Sequence, residues 1–251
     1  MSRGLVAQTL IAMLFLGTAS GPSSGESTSS GIPMPVEIFR NIFRDSNQDD
    51  LDTLLDHGFI QKWKGDLKIY FAYADPSEAD SINHLIEIQL KPLMISISEA
   101  TGLGFKRVYT LNESNVAFIF ADEPSDVQNF LDLVQLRKWF SARVDREFDD
   151  IEAAFRGAPA FCFRFTNAPE NEITNAIGFV STGESETVQE KCLARNILFG
   201  VGLRGSTDSP ISAKSADTSS RSIGLLDEMA LNILYRDGVE PGMTLRQALS
   251  K

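Results

Sequence analysis

Residues 65–73, GDLKIYFAY, alternate apolar and polar side chains before turning aromatic. A period of two over such a length describes a half-buried β-strand. Residues 76–101 change the period: Ile82, Leu85, Ile86, Ile88, Leu90, Leu93 and Ile97 recur at helical spacing. Pro92 predicts a kink or a new turn inside that helix, and Gly102-Leu103-Gly104 predicts its end. Residues 115–121, NVAFIFA, are nearly all apolar, as in a central strand covered on both faces. Working outward, residues 126–155 read as two helices, a helical insertion spanning 126–156. Residues 160–166 and 173–181 read as a strand pair, plausible as a hairpin. Residues 186–200 form a helix. Residues 222–235 form the last strong one, with Ile223, Leu226, Met229, Ala230, Ile233 and Leu234 on one face. Residues 245–249 make a short terminal turn. Upstream, Val36, Phe39, Ile42 and Phe43 give helical spacing within 33–59, and 49–56 reads as a short helix with an acidic first turn. No internal repeat is visible. The order predicts an α+β fold, helices packed on a mixed sheet, in a single domain over residues 33–251.

The whole chain has 251 residues, 43% of them hydrophobic, with 17 Phe, which suffices for a packed core. Its formal net charge is −11. Nucleic acid and anionic lipid require a positive footprint, so neither is expected as the main partner.

The first residues carry an address. Arg3 is a positive start, GLVAQTLIAMLFLG at 4–17 is an apolar run too short to span a bilayer, and Thr18-Ala19-Ser20 supplies small residues for cleavage. Residues 1–20 therefore read as a signal peptide and 21–32 as a Ser/Gly-rich linker. No cysteine lies near the cleavage site, so lipid attachment there is excluded and no stable membrane anchor is expected. The expected location is periplasmic or secreted. In such an oxidising compartment Cys162 and Cys192, the two cysteines of the chain, are expected to pair as a disulfide, the alternative being two buried thiols.

Several motifs fail on context. GVGLRG at 200–205 matches a dinucleotide-binding pattern, but a helix precedes it where a strand is required. GPSSG at 21–25 matches a nucleophile elbow, but it lies in the linker. DSNQD at 45–49 resembles the start of a calcium loop with Asp56 at its twelfth position, yet Asp50 stands where that loop needs glycine. His57 and His84 are each candidate acids or bases, read as surface histidines. Asp145, Glu147, Asp149, Asp150 and Glu152 alternate with Arg143, Arg146 and Arg156, as on a solvated helix face.

The last third is more specific. CLARNILFGVGLRGS runs from Cys192 to Ser206; Asp208, Leu226-Asp227, Leu234-Tyr235 and Pro241-Gly242-Met243 follow. Trp63-Lys64-Gly65 and Asn115-Val116 precede it. This pattern resembles a family of secreted bacterial proteins, the domain of unknown function 2927, over residues 63–248, with Cys162 and Cys192 at that family's cysteine positions.

The same layout resembles a metzincin (zincin-like) metallopeptidase domain stripped of its metal. Metzincins carry H-E-x-x-H-x-x-G-x-x-H, in which two histidines one helical turn apart and a third beyond a glycine turn hold zinc, and the glutamate is the general base. Aligning the structural glycine with Gly202 places Arg195, Asn196, Phe199 and Gly205 at the first ligand, the base, the second ligand and the third ligand. None has the required chemistry, and Ile211 lies near where the methionine turn is expected. The resemblance implies a degenerate active-site helix with no catalytic residues, no metal and no cofactor. Arg195 and Phe199 share one helix face, with Asp208 and Asp227 as cleft polar residues able to pair with Arg195.

These readings describe a non-catalytic binding module that holds an extended peptide or envelope protein. The alternatives are a structural, envelope-associated protein and a metal-independent hydrolase using carboxylates such as Glu186, Glu190 or Asp208. Oligomeric state is open. N-terminal sequencing of the exported protein should give a chain beginning near residue 21; an intact Met1 in that fraction would refute the cleaved signal peptide.

Overall fold

Five strands make one sheet in the order β2-β1-β3-β5-β4. They are β1 (Leu67–Tyr73), β2 (Phe105–Arg107), β3 (Val116–Ala121), β4 (Cys162–Asn167) and β5 (Asn175–Ser181). The structure, a computed structural model, describes residues 55–122, 138–139, 142, 162–203 and 223–251. The expected signal peptide, the linker, Gly205, Asp208, the acidic run 145–152 and most of the 126–156 insertion lie outside the described residues.

The β1–β2, β1–β3 and β3–β5 pairs are parallel, and β4 runs antiparallel to β5. The expected mixed sheet packed by helices is therefore present, as is the β4–β5 hairpin. β3 and β5 are buried at every position, as their apolar runs require for strands covered on both faces. The register places Phe71 beside Phe118 and Phe118 beside Gly178 on one face. Phe71 and Phe118 stack there with ring centroids 5.8 Å apart. The other face carries Ala72, Ala117, Ile119, Ala121, Ile177 and Phe179, packed against Trp139 of the 126–156 segment. The Trp139 indole N–H donates to Ser114 O at 3.2 Å.

The expected helix over 76–101 is a composite. A 3-10 turn (Pro76–Glu78) capped by Asp75 leads into α1 (Ala79–Leu85), then a π segment (Ile86–Leu90), then α2 (Lys91–Thr101). The π segment answers Pro92. Proline lacks the N–H that residue 88 would accept and crowds its carbonyl, so the preceding turn widens while the helix continues. α2 ends at Gly102, which takes φ +73°. Sequence reasoning missed β2, whose three residues are too few to show a period. Of the helix expected over 33–59, residues 33–54 lie outside the described residues, and at its end Phe59 is not helical and bridges Thr244. α3 (Glu186–Gly200), α4 (Leu225–Leu234) and α5 (Leu245–Leu249) follow. The short terminal turn is thus helical, closed by a capping box between Thr244 and Gln247.

Residues 59–63, with isolated β-bridges at Phe59 and Lys62, are hydrogen-bonded to several of these elements. Ile60 N donates to Met243 O, and Gly242 N donates to Ile60 O, both at 2.9 Å. Ile173 N donates to Lys62 O at 2.9 Å. The Trp63 indole donates to Gly200 O at the end of α3. The Tyr235 hydroxyl accepts from Trp63 N at 3.2 Å and donates to Val201 O at 2.9 Å. Gly202 closes the contact, with φ +102° and no room for a side chain: a Cβ there would lie 2.3 Å from Gln61 O. We expect Gly202→Ala to cost about 2 kcal/mol or more, the left-handed strain alone being about 1–2 kcal/mol. That corresponds to roughly 4–8 °C in melting temperature for a domain of this size. An unchanged thermal melt would contradict the close approach.

Candidate functional site

The sequence expectation centres on α3, and its anchoring decides what that helix can do. The helix lies on the sheet face that carries Phe118 and Gly178. Gly178 makes this possible, because a Cβ there would lie 2.8 Å from the Phe118 ring and 2.9 Å from Asn196 Nδ2. Cys192, Leu193, Ala194, Asn196, Ile197, Leu198 and Gly200 are buried. Cys162 and Cys192 are disulfide-bonded with Cα atoms 5.6 Å apart, tying α3 to β4, the last strand of the sheet.

Arg195 and Phe199, four residues apart on α3, are both half-buried. The next residue of β4 on the Cys162 side is Arg164, by the strand's period of two. Its guanidinium lies 4.8 Å from the Phe199 ring centroid, a cation–π contact. Asn196 is buried, and its amide donates to Phe179 O at 3.3 Å. It serves packing between helix and strand and has no proton-accepting role there. Beneath this layer Phe118, Arg164, Thr166, Asn196 and Phe199 help line a cavity of about 10 Å³, space for roughly one water. The interval between α3 and β4 is therefore filled by side chains.

Of the remaining candidates, Gly202 forms the turn described above. Asp227 is buried in the first turn of α4, where a carboxylate meets the positive end of the helix dipole. Glu186 is exposed in the first turn of α3 and Glu190 is half-buried one turn later. His57 and His84 are both exposed. Asp56 is bound through both oxygens by Arg246, Oδ1 to Nε at 2.5 Å and Oδ2 to Nη2 at 3.1 Å. That hydrogen-bonded pairing holds its carboxyl below the usual range and occupies the twelfth position of the calcium-like segment. Among the described residues no group of three or more His, Cys, Asp or Glu gathers to hold a metal ion.

Two lysines flank residue 63. Lys62 is buried, with its ammonium 5.3 Å from the Tyr235 ring centroid, and burial pushes its pKa down. Lys64 is exposed between Glu172 at 3.4 Å and Glu240 at 3.5 Å, which push its pKa up.

The profile of a family described as "Protein of unknown function (DUF2927)" matches residues 37–251. The chain belongs to this family. No curated protein and no solved structure matches it. In this DUF2927 chain several of the described residues quoted for the resemblance are joints of the fold. Trp63, Gly202, Tyr235, Gly242 and Met243 meet at the 59–63 strip, and Asn115 bridges β1 and β3 by accepting from Lys68 N at 2.7 Å and donating to Asp66 O at 2.9 Å. Arg164 was missed. Its signal was available, two residues after Cys162 in a strand and so on the cysteine's face.

The disulfide spans 30 residues, so its removal should cost about 3–4 kcal/mol in the chain-entropy account. Urea unfolding of Cys162→Ala should show this loss, and reductant should lower the wild-type midpoint while leaving the variant unmoved.

Proposed function

We propose that this DUF2927 protein is an exported, non-catalytic domain of metzincin-like layout that holds an extended peptide or envelope protein at β4. The supporting observation is the occupation of the α3 face that would carry zinc ligands. Phe199 has no donor atom, Arg195 is cationic, and Asn196 is spent on Phe179 O. A metal would find no ligand set in these three side chains. Such a helix supports position, not hydrolysis. β4 ends the sheet, and a peptide adding along it would use main-chain hydrogen bonds for affinity and the flanking side chains for choice. Export, to periplasm or medium, is supported by the apolar N-terminal run and by the disulfide, which persists in oxidising compartments.

A second reading, a purely structural envelope role, is favoured by the small cavity under Phe199, since a filled groove admits nothing without movement. In the binding reading Phe199 and Arg164 are a plug that a peptide displaces.

The mature protein should be screened against a library of unstructured peptides, with amide exchange monitored along residues 162–167. We expect saturable binding that slows exchange in β4, no cleavage of any peptide, and several-fold tighter binding by Phe199→Ala. Cleavage would overturn the non-catalytic assignment, and a complete absence of binding by both proteins would leave the structural role as the answer.

A further inference from the structure

The opposite edge of the sheet holds a group of side chains that neither reading uses. Tyr73 is the last residue of β1 and Arg107 the last of β2. The two strands are parallel, so both residues lie at the carboxyl ends of their strands. That end of an open sheet with helical crossovers is where ligands are commonly received. Asn83 comes from α1, the helix that follows β1.

The hydrogen bonds among these three consume every side-chain acceptor present. Asn83 Oδ1 accepts from the Tyr73 hydroxyl at 2.9 Å and from Arg107 Nη2 at 2.8 Å. The Tyr73 oxygen accepts a further bond from Arg107 Nη2 at 3.3 Å. Both neighbours of the Asn83 oxygen are donors, which fixes the amide's orientation. What remains is donors alone: Arg107 Nε and Nη1, and the Asn83 amide nitrogen, none of which donates to a side chain or backbone among the described residues. A guanidinium cannot lose its proton to relieve this.

The arginine is also in contact with two aromatic rings. Its guanidinium lies 5.3 Å from the Phe71 ring centroid and 5.6 Å from that of Tyr109. Phe71 is buried, whereas Tyr109 is 81% exposed, a large aromatic side chain standing in water beside a cation. No acid among the described residues forms an ion pair with Arg107. Glu87 feels its charge, but its carboxylate is hydrogen-bonded to Lys91 at 2.8 Å.

The geometry points to a carboxylate-binding site, formed by Arg107 and the Asn83 amide with Tyr109 as its outer wall, that takes a small organic acid. A carboxylate has acceptors and no donors, so it matches a cluster whose unused hydrogen-bonding groups are all donors. It is planar, so it fits the fork of an arginine in contact with two aromatic rings. Phosphate shares the charge but not the planarity.

Nuclear magnetic resonance of the mature, disulfide-intact protein tests this. Benzoate and inorganic phosphate are titrated separately at matched ionic strength, with chloride as control, while the Arg107 Nε–H and Asn83 amide resonances are followed. We expect saturable shifts of both resonances with benzoate, at least tenfold weaker binding of phosphate, and loss of benzoate binding in Arg107→Gln. Tyr109→Ala, altered at an exposed position, should keep the wild-type melting temperature and bind benzoate several-fold more weakly. Shifts no larger than those in chloride would overturn the site, as would benzoate binding unaffected in both variants. Phosphate binding as tightly as benzoate would overturn the assignment to a carboxylate.

Discussion

The structure depends on one strip, residues 59–63, against which distant parts of the chain are hydrogen-bonded. The chain tail reaches it through Gly242 and Met243, the β4–β5 connection through Ile173, and the ends of α3 and α4 through Trp63 and Tyr235. The strip buries Ile60, Lys62 and Trp63, so each unpaired backbone group there would cost about 1–3 kcal/mol. This explains the demand at Gly202. The backbone of α3 must come close enough to Gln61 that no side chain can intervene. Trp63, Gly202, Tyr235 and Gly242 of this chain thus meet where separate elements are joined.

Chemistry on α3 is limited by the same joining. The helix is fixed at one end by the Trp63 and Tyr235 bonds and near its middle by the disulfide to β4. The side chains between these anchors sit in a rigid frame. With Asn196 engaged and Phe199 lying under Arg164, that frame presents an apolar ring and a cation towards β4. At the opposite edge the half-buried Arg107 and Asn83 are hydrogen-bonded to each other, and the arginine lies near the rings of Phe71 and Tyr109.

Much of the fold was legible in the sequence because it rests on local periods. β1, β3 and the hairpin follow their alternation or apolar runs, and α3 forms over the residues expected for it. What could not be read was non-local or too short. β2 has three residues and takes its place only by pairing with β1. The strand order arises from crossovers whose contacts the periodicity does not encode. The strip at 59–63 lacks any period and looks like a helix end, because its partners lie more than a hundred residues away. For the sites, the cysteine pair and the α3 residues were visible as a pattern. Arg164 was placeable on the cysteine's face of β4, but its contact with Phe199 was not visible, and neither was the Arg107, Tyr73 and Asn83 cluster, since each joins separate elements.

The π segment before Pro92 acts on the helix as a single extra residue would, and this sets a phase. An α-helix turns about 100° per residue, so tightening Ile86–Leu90 into α geometry would rotate all that lies before it by about that angle relative to α2. Asn83 lies on that upstream side and would swing away from Tyr73 and Arg107. One proline thus works as an angular spacer, letting α2 pack against α4 while α1 aims its Asn83 amide at the strand ends.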